Sequence, residues 1–132
     1  MTRKLLRAKI HRATVTGADL DYEGSVTLDR ELMDLADLVD YEAVHIWNVT
    51  NGERFQTYAI PGERHSGVVC VNGAAAHKVS KGDLVIIAAF SWMEEKEART
   101  YEPKVVFVNE KNLPVELRKE QGGQAKLRRV FG

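Results

Sequence analysis

The sequence has 132 residues, enough for one domain with a hydrophobic core. Its 19 basic and 19 acidic residues balance, which excludes the strong overall field that draws proteins to nucleic acid or anionic membranes. Cys70 is the one cysteine, so an intrachain disulfide is excluded and we expect a cytoplasmic protein. Charges interrupt residues 1–7 too early for a signal peptide, and no run approaches the roughly 18 apolar residues of a membrane helix.

The first part of the chain predicts a strand followed by a long connection. Apolar and polar residues alternate over residues 6–15, the period of a half-buried strand, which puts Lys9 and His11 on one face. The polar stretch 16–25 contains Gly17 and Gly24 and predicts bends. Functional chemistry is often found on such connections.

The middle of the chain predicts one helix and then several strands. Asp29 is placed to cap a helix whose apolar residues recur at helical spacing, namely Leu32, Leu35, Ala36 and Val39. Residues 43–49 and 54–60 flank Asn51-Gly52 and predict a β-hairpin. Further strands are predicted at residues 68–72, 84–90 and 104–108.

Six or so short strands with few helices indicate a mainly β domain over residues 1–114. A closed barrel is preferred to a sandwich, since an open sheet of this size would leave adhesive edges. Residues 115–132 carry five basic and two acidic side chains without clear patterning. We expect a disordered tail, with an arm that binds nucleic acid or a partner as the alternative.

Five motifs in order carry a family resemblance. Taken alone, Gly24-Ser25 is an ordinary turn dipeptide. It ends the first motif, Ala18-Asp19-Leu20-Asp21-Tyr22-Glu23-Gly24-Ser25. The others are Lys9-Ile10-His11-Arg12, Ile46-Trp47-Asn48-Val49-Thr50-Asn51-Gly52, Arg54 with Thr57-Tyr58-Ala59-Ile60, and Val71-Asn72-Gly73-Ala74-Ala75-Ala76-His77. Together they resemble the pyruvoyl-dependent aspartate 1-decarboxylase family, from about residue 5 to residue 103.

The resemblance implies a six-stranded double-psi β-barrel with short helices, assembled as a homotetramer. It also implies a precursor that cuts itself between Gly24 and Ser25 into chains 1–24 and 25–132. Ser25 then becomes a pyruvoyl group, which condenses with the amine of L-aspartate so that carbon dioxide leaves and β-alanine forms. The reaction belongs to pantothenate biosynthesis and needs neither pyridoxal phosphate nor a metal. The sequence leaves open whether cleavage requires a maturation factor and whether the chain is already cut.

The resemblance also assigns roles to side chains near the pyruvoyl group. Thr57 and Asn72 correspond to family residues that assist self-cleavage, and Tyr58 corresponds to the proton donor. The substrate contacts correspond to Thr57, Gly73, Ala74 and Ala75, and we add Arg54 and Lys9 as cations for the second carboxylate. Without the resemblance each of these residues has an ordinary reading in strand packing, hairpin closure or solvated charge.

One geometric difficulty attaches to these roles. Strand alternation puts Arg54 and Tyr58 on one face and Thr57 on the other, and about 13 Å of strand separates Arg54 from Tyr58. A bulge near Thr57 or a site between two subunits would reconcile them, and we expect the second.

Several other functions are disfavoured by the sequence. The histidines lack metal-binding spacing, Gly-x-Ser-x-Gly is absent, and the apolar neighbours of Cys70 favour a buried structural thiol over a nucleophile. Two alternatives stay open, a barrel that only binds a ligand or partner and is never cut, and a pyruvoyl decarboxylase for another amino acid.

Overall fold

The chain, described by a computed structural model over residues 1–119, is built mostly of short strands, as the sequence predicts. The strands are β1 (Thr2–Thr14), β2 (Gly17–Asp19), β3 (Ser25–Asp29), β4 (Ala43–Asn48), β5 (Arg54–Gly62), β6 (Val69–Asn72), β7 (Leu84–Glu94), β8 (Lys104–Val108) and β9 (Pro114–Lys119). Helices α1 (Arg30–Leu35) and α2 (Glu95–Ala98) and a 3₁₀ helix at Gly73–Lys78 complete the described range. No helix within residues 1–119 is long and apolar enough to cross a membrane.

The described strands form one sheet in the order β2-β6-β3-β5-β4-β7-β1-β8-β9. Its end strands, β2 and β9, do not pair with each other within residues 1–119. The predicted six-stranded barrel is therefore not confirmed, although the mainly β class is. The count differs because β2 and β9 lie in segments that sequence reasoning treated as connection or tail. Strand β3 has only five residues between that connection and the helix, too short a run to establish a hydrophobic period.

Alternation along β3 and β6 decides which side chains reach the outer face. One set is fully buried in the core and consists of Val26, Leu28, Val69 and Val71. The opposite set consists of Ser25, Thr27, Cys70 and Asn72, with Ser25 opposite Asn72 and Thr27 opposite Cys70 in the antiparallel register. Burial of each core side chain is worth about 1.5–3 kcal/mol. A slip of one residue would expose the valines and leucine, so core packing fixes the outward direction of Ser25.

The local predictions in the middle of the chain are confirmed. Asp29 caps α1, because its Oδ1 accepts a hydrogen bond from the Glu31 amide at 2.8 Å. The helix ends at Leu35, however, and Val39 is exposed rather than part of its buried stripe. Strands β4 and β5 form the predicted hairpin, with Gly52 in the left-handed region at φ +80°.

The predicted disordered tail is wrong for its first residues. Residues 115–119 belong to β9, which pairs antiparallel with β8. The Arg118 guanidinium carbon lies 4.2 Å from the centre of the Phe107 ring, a cation–π contact that adds to the backbone pairing. Residues 115–119 form a strand because the edge of β8 offers backbone hydrogen-bond partners to them, and the composition of the tail does not indicate this pairing. Residues 120–132, the rest of the predicted tail, lie outside the described residues.

Candidate active site

Ser25 is the first residue of β3, not the end of a loop, and only 3% of its surface is exposed. Its hydroxyl accepts a hydrogen bond from Asn72 Nδ2 at 3.1 Å. It also donates to the Glu23 carbonyl at 3.4 Å. The serine that is predicted to react therefore follows Gly24 in the chain, and its hydroxyl oxygen is hydrogen-bonded to Asn72, its predicted partner.

Asn72 joins Ser25 to two residues that sequence reasoning missed. Its Nδ2 also donates to Thr27 Oγ1 at 3.1 Å, and its Oδ1 accepts from Cys70 Sγ at 3.4 Å. Burial and then the nearby charge of Asp19 raise the pKa of the Cys70 thiol. The expectation of a buried thiol is wrong, because the Cys70 side chain is half-buried and lines the Ser25 cavity, while its interpretation as a structural thiol and not a nucleophile stays a prediction. Strand alternation is the signal that could have found both residues, two positions from Ser25 and Asn72.

Gly73 lies directly against the Gly24-Ser25 junction. Its φ of +67° is in the left-handed region, where a side chain is strained. A Cβ at this position would lie 2.6 Å from both the Cα and the N of Gly24 and 2.9 Å from the Tyr22 carbonyl oxygen. The missing side chain thus allows two backbone segments to meet. By contrast, within residues 1–119 no atom outside Glu23, Gly24 and Ser25 lies within 4 Å of a Cβ built on Gly24, so one side of that residue is open.

A cavity of about 770 Å³ opens beside Ser25. It brings Tyr58 to the same space as Ser25 and Asn72. Acidic side chains line it, and no lysine or arginine of the described chain does. The charged lining residues are Asp19, Asp21 and Glu23. The ring centres of Tyr58 and Tyr41 are 6.5 Å apart across this cavity.

Arg54 and Thr57 do not line the Ser25 cavity of the same chain. The β4–β5 register runs without a shift from Ala43–Tyr58 to Trp47–Arg54, so no bulge turns Thr57 toward Tyr58. Arg54 lines a separate cavity of about 500 Å³. Its guanidinium carbon lies 4.7 Å from the centre of the Trp47 ring, and Lys4 Nζ lies 5.7 Å from the centre of the Phe90 ring in the same cavity. The expectation of a site between subunits remains a prediction.

The remaining predicted substrate contacts are Lys9, Ala74 and Ala75, and none of them lines the Ser25 cavity or the Arg54 cavity. Lys9 is half-buried in β1, where it pairs with Ala88 of β7 and Val105 of β8, and it lines neither of the two cavities. Ala74 is exposed and Ala75 is half-buried in the 3₁₀ helix that follows Asn72. Both follow Gly73, so they lie close along the chain to the Gly24 contact without lining the Ser25 cavity.

Comparison with known proteins identifies the family that the sequence matches. The family model described as aspartate decarboxylase matches residues 1–115. The aspartate 1-decarboxylase of Syntrophotalea carbinolica is 62% identical over 131 residues, which cover 99% of this chain and 100% of the relative. The aspartate 1-decarboxylase of Legionella pneumophila strain Paris is 56% identical over 121 residues, 92% of this chain and 91% of the relative.

Proposed function

Because the chain belongs to the aspartate decarboxylase family, we propose that it converts L-aspartate to β-alanine and carbon dioxide with a pyruvoyl group made from Ser25. The reaction is that of a decarboxylase lyase and supplies β-alanine for pantothenate biosynthesis. The observation that carries the pyruvoyl proposal is the buried Ser25 hydroxyl, which follows Gly24 and accepts a hydrogen bond from Asn72 at 3.1 Å.

Self-cleavage begins with the Ser25 hydroxyl. Its oxygen attacks the Gly24 carbonyl carbon, the peptide C–N bond breaks, and an ester with a free amine at residue 25 results. Loss of the α-proton of residue 25 then breaks its Cβ–O bond and releases the Gly24 carboxylate. Water enters, ammonia leaves, and residue 25 keeps a ketone. Once joined to the amine of the substrate, that ketone accepts the electron pair left on the substrate carbon when carbon dioxide departs.

The residues around Ser25 suit this chemistry. The Asn72 amide donates to the oxygen that attacks, and such a donor stabilises negative charge as the proton leaves. The contact of Gly73 with Gly24 restrains the peptide to be cut, while the open side of Gly24 leaves room beside it. After cleavage, Tyr58 shares the cavity and is our proton donor for the carbon that loses carbon dioxide. Thr57 stays a candidate from the resemblance alone.

The substrate carries one amine and two carboxylates, and the two cavities have complementary charges. Asp19, Asp21 and Glu23 line the cavity beside Ser25 and favour a cationic amine. Arg54, stacked on Trp47, presents a planar donor pair suited to a carboxylate. We therefore propose a homo-oligomer, a tetramer by the resemblance, in which the Arg54 cavity of one copy faces the Ser25 cavity of another.

The proposed function is tested by measuring the intact mass of the purified wild-type chain and of a variant that lacks the Ser25 hydroxyl. Wild-type protein should give two fragments, 1–24 and 25–132, the larger lighter than a serine-started chain by one ammonia. Ser25→Ala should stay whole and release no carbon dioxide from aspartate. Ser80→Ala, at an exposed serine outside the cavity, should cleave normally. An uncut wild-type chain would refute the pyruvoyl proposal, and equal turnover of aspartate, glutamate and cysteate would refute the substrate.

The shared site has a separate test by mixing. Ser25→Ala chains lack the ketone, and Arg54→Gln chains lack the guanidinium. If the two groups act across an interface, co-expression of both variants should yield more activity than the sum of each alone. Activity that never exceeds that sum would place the whole site in one chain.

We also infer that β1 and β2 act as one bent strand that closes the family's six-stranded barrel. Only Val15 and Thr16 separate the two strands. The Thr16 amide donates to the Val69 carbonyl at 2.8 Å, and Gly17 pairs with Cys70 of β6. Amide hydrogen exchange checks this, because a closed barrel should protect the Thr16 amide as strongly as those in the middle of β6. Fast exchange at Thr16 would indicate an open edge.

A further inference from the structure

The thiol of Cys70 contacts the self-cleavage site but has no part in the chemistry derived above. Cys70 lies directly opposite Thr27 in the β3–β6 pairing and lines the same cavity as Ser25. Its Sγ donates to Asn72 Oδ1 at 3.4 Å. The Asn72 amide is thereby occupied at both ends, with the thiol on its oxygen and two hydroxyls on its nitrogen.

The direction in which the Asn72 amide points matters for Ser25. Rotation of the amide by half a turn would place Oδ1, an acceptor, against the Ser25 and Thr27 hydroxyls. The Thr27 hydroxyl can donate as well as accept, and the Ser25 hydroxyl can turn its proton from the Glu23 carbonyl, a long contact of 3.4 Å, to Oδ1, so both tolerate either orientation. Only the orientation with Nδ2 toward Ser25 puts a donor on the attacking oxygen.

The Cys70 thiol favours one of the two orientations of the Asn72 amide, because sulfur is a weak hydrogen-bond acceptor. With Oδ1 toward Cys70, the S–H group donates to a good acceptor. With Nδ2 toward Cys70, the amide would depend on the poor acceptor and lose part of its hydrogen bonding. Burial and the Asp19 charge raise the pKa of the thiol, which keeps the proton that this contact needs at neutral pH.

We propose that Cys70 is a positioning residue for self-cleavage, which holds the Asn72 amide with its nitrogen toward the Ser25 hydroxyl. The inference rests on the proposed cleavage at Gly24-Ser25 and adds a residue to it. Cys70 acts through Asn72 and touches neither the scissile carbonyl nor the substrate. Thr27 is the second acceptor that completes the preferred arrangement.

The test compares three substitutions that separate the donor from the volume of the side chain. Cys70→Ser keeps a donor in a smaller side chain. Cys70→Ala has nearly the size of serine without a donor, and Cys70→Val fills the space without a donor. Each full-length chain is made by cell-free translation, and the uncut fraction is followed over time by intact mass. Thermal unfolding of each purified chain checks that the fold is retained.

Cleavage of Cys70→Ala and Cys70→Val should be slowed about twofold, because an amide with no donor at Oδ1 divides about equally between its two orientations and only one of them puts Nδ2 on Ser25. Cys70→Ser should cleave at the wild-type rate, because the hydroxyl still donates to Oδ1. Cleavage of Cys70→Ala and Cys70→Val at the wild-type rate would overturn the inference. Equal slowing of the serine and alanine variants would overturn it too, since volume and not donation would then be responsible. A wild-type chain that is never cut refutes the proposed function instead, so the two failures are distinguishable.

Discussion

The two cavities of this chain differ in nearly every chemical respect. The cavity beside Ser25 is lined by acidic side chains and contains a network of neutral donors and acceptors centred on Asn72. The cavity beside Arg54 is lined by aromatic rings with cations stacked on them. The first is suited to making and using a reactive carbonyl, and the second to holding a carboxylate.

This difference indicates that the proposed cofactor formation and the proposed substrate recognition depend on different parts of the chain. The Ser25 hydroxyl accepts a hydrogen bond from Asn72 of β6 and donates one to the carbonyl of Glu23, in the segment just before β3. Arg54 takes no part in that network and contacts Trp47 instead. Substitutions near Ser25 should therefore alter cleavage, while those near Arg54 should alter only turnover.

The largest effect is expected at Gly73. In Gly73→Ala the new Cβ would collide with the backbone of Gly24, so we expect cleavage to fail and no mature chain to form. Gly52→Ala is the matched control. It imposes a similar left-handed strain of about 1–2 kcal/mol, but no atom of the described chain beyond its two neighbours in sequence lies within 4 Å of its Cβ. Intact mass should show Gly73→Ala whole and Gly52→Ala cut, and two cut variants would contradict the proposed contact.

Tyr58 should separate the two activities within the Ser25 cavity. Tyr58→Phe keeps the aromatic ring but removes the phenolic hydroxyl, which is the proposed proton donor. We therefore expect normal cleavage and about a thousandfold loss in kcat for carbon dioxide release. Tyr101→Phe is the control, since its hydroxyl donates to the Arg7 carbonyl outside the cavity. Unchanged kcat in Tyr58→Phe would remove Tyr58 from the reaction.

Arg54 should affect recognition alone. Arg54→Gln should be cut normally, while kcat/KM for aspartate falls about a hundredfold, or on the order of 3 kcal/mol for the lost charged hydrogen bonds. Arg64→Gln, at an exposed arginine paired with Asp34, should leave kcat/KM unchanged. Slowed cleavage in Arg54→Gln would show that the two cavities are not independent.

The smallest effect is on the titration of Cys70. Alkylation requires the thiolate, and a raised pKa lowers the thiolate fraction at neutral pH, so reaction with iodoacetamide should gain its rate at higher pH than a free cysteine does. Asp19→Asn removes the neighbouring charge and should shift this pH profile slightly downward. Asp40→Asn, at an exposed residue outside the cavity, should not shift it. An alkylation profile with the same pH dependence in wild type and Asp19→Asn would contradict an effect of the acidic Ser25 cavity on Cys70.

Much of the fold was predictable because it depends on local pattern. Alternation predicted β1, the Asn51-Gly52 hairpin is present, and Asp29 caps α1. Strand β3 was missed, since only five residues lie between a polar stretch and the helix. Strand β9 was missed because its partner β8, not its own composition, makes it a strand.

The candidate site was predictable only in part. Ser25, Tyr58 and Asn72 were named from motifs, and the structure brings all three to one cavity. Cys70 and Thr27 were missed because no motif of the resemblance assigns them a role. Arg54 was named as well, yet it lies in the other cavity, because about 13 Å of strand separates it from Tyr58 although both lie on one face of β5.

The sequence by itself determined which residues share a face along the strands that it predicted, because a period of two follows from backbone geometry alone. It also determined the family to which the chain belongs and, through it, the chemistry proposed for position 25. Only the tertiary structure decided that Asn72 meets Ser25 from 47 positions away and that Gly73 touches Gly24. Such contacts depend on strand register and on backbone approach, which are set by burying both strands against one core.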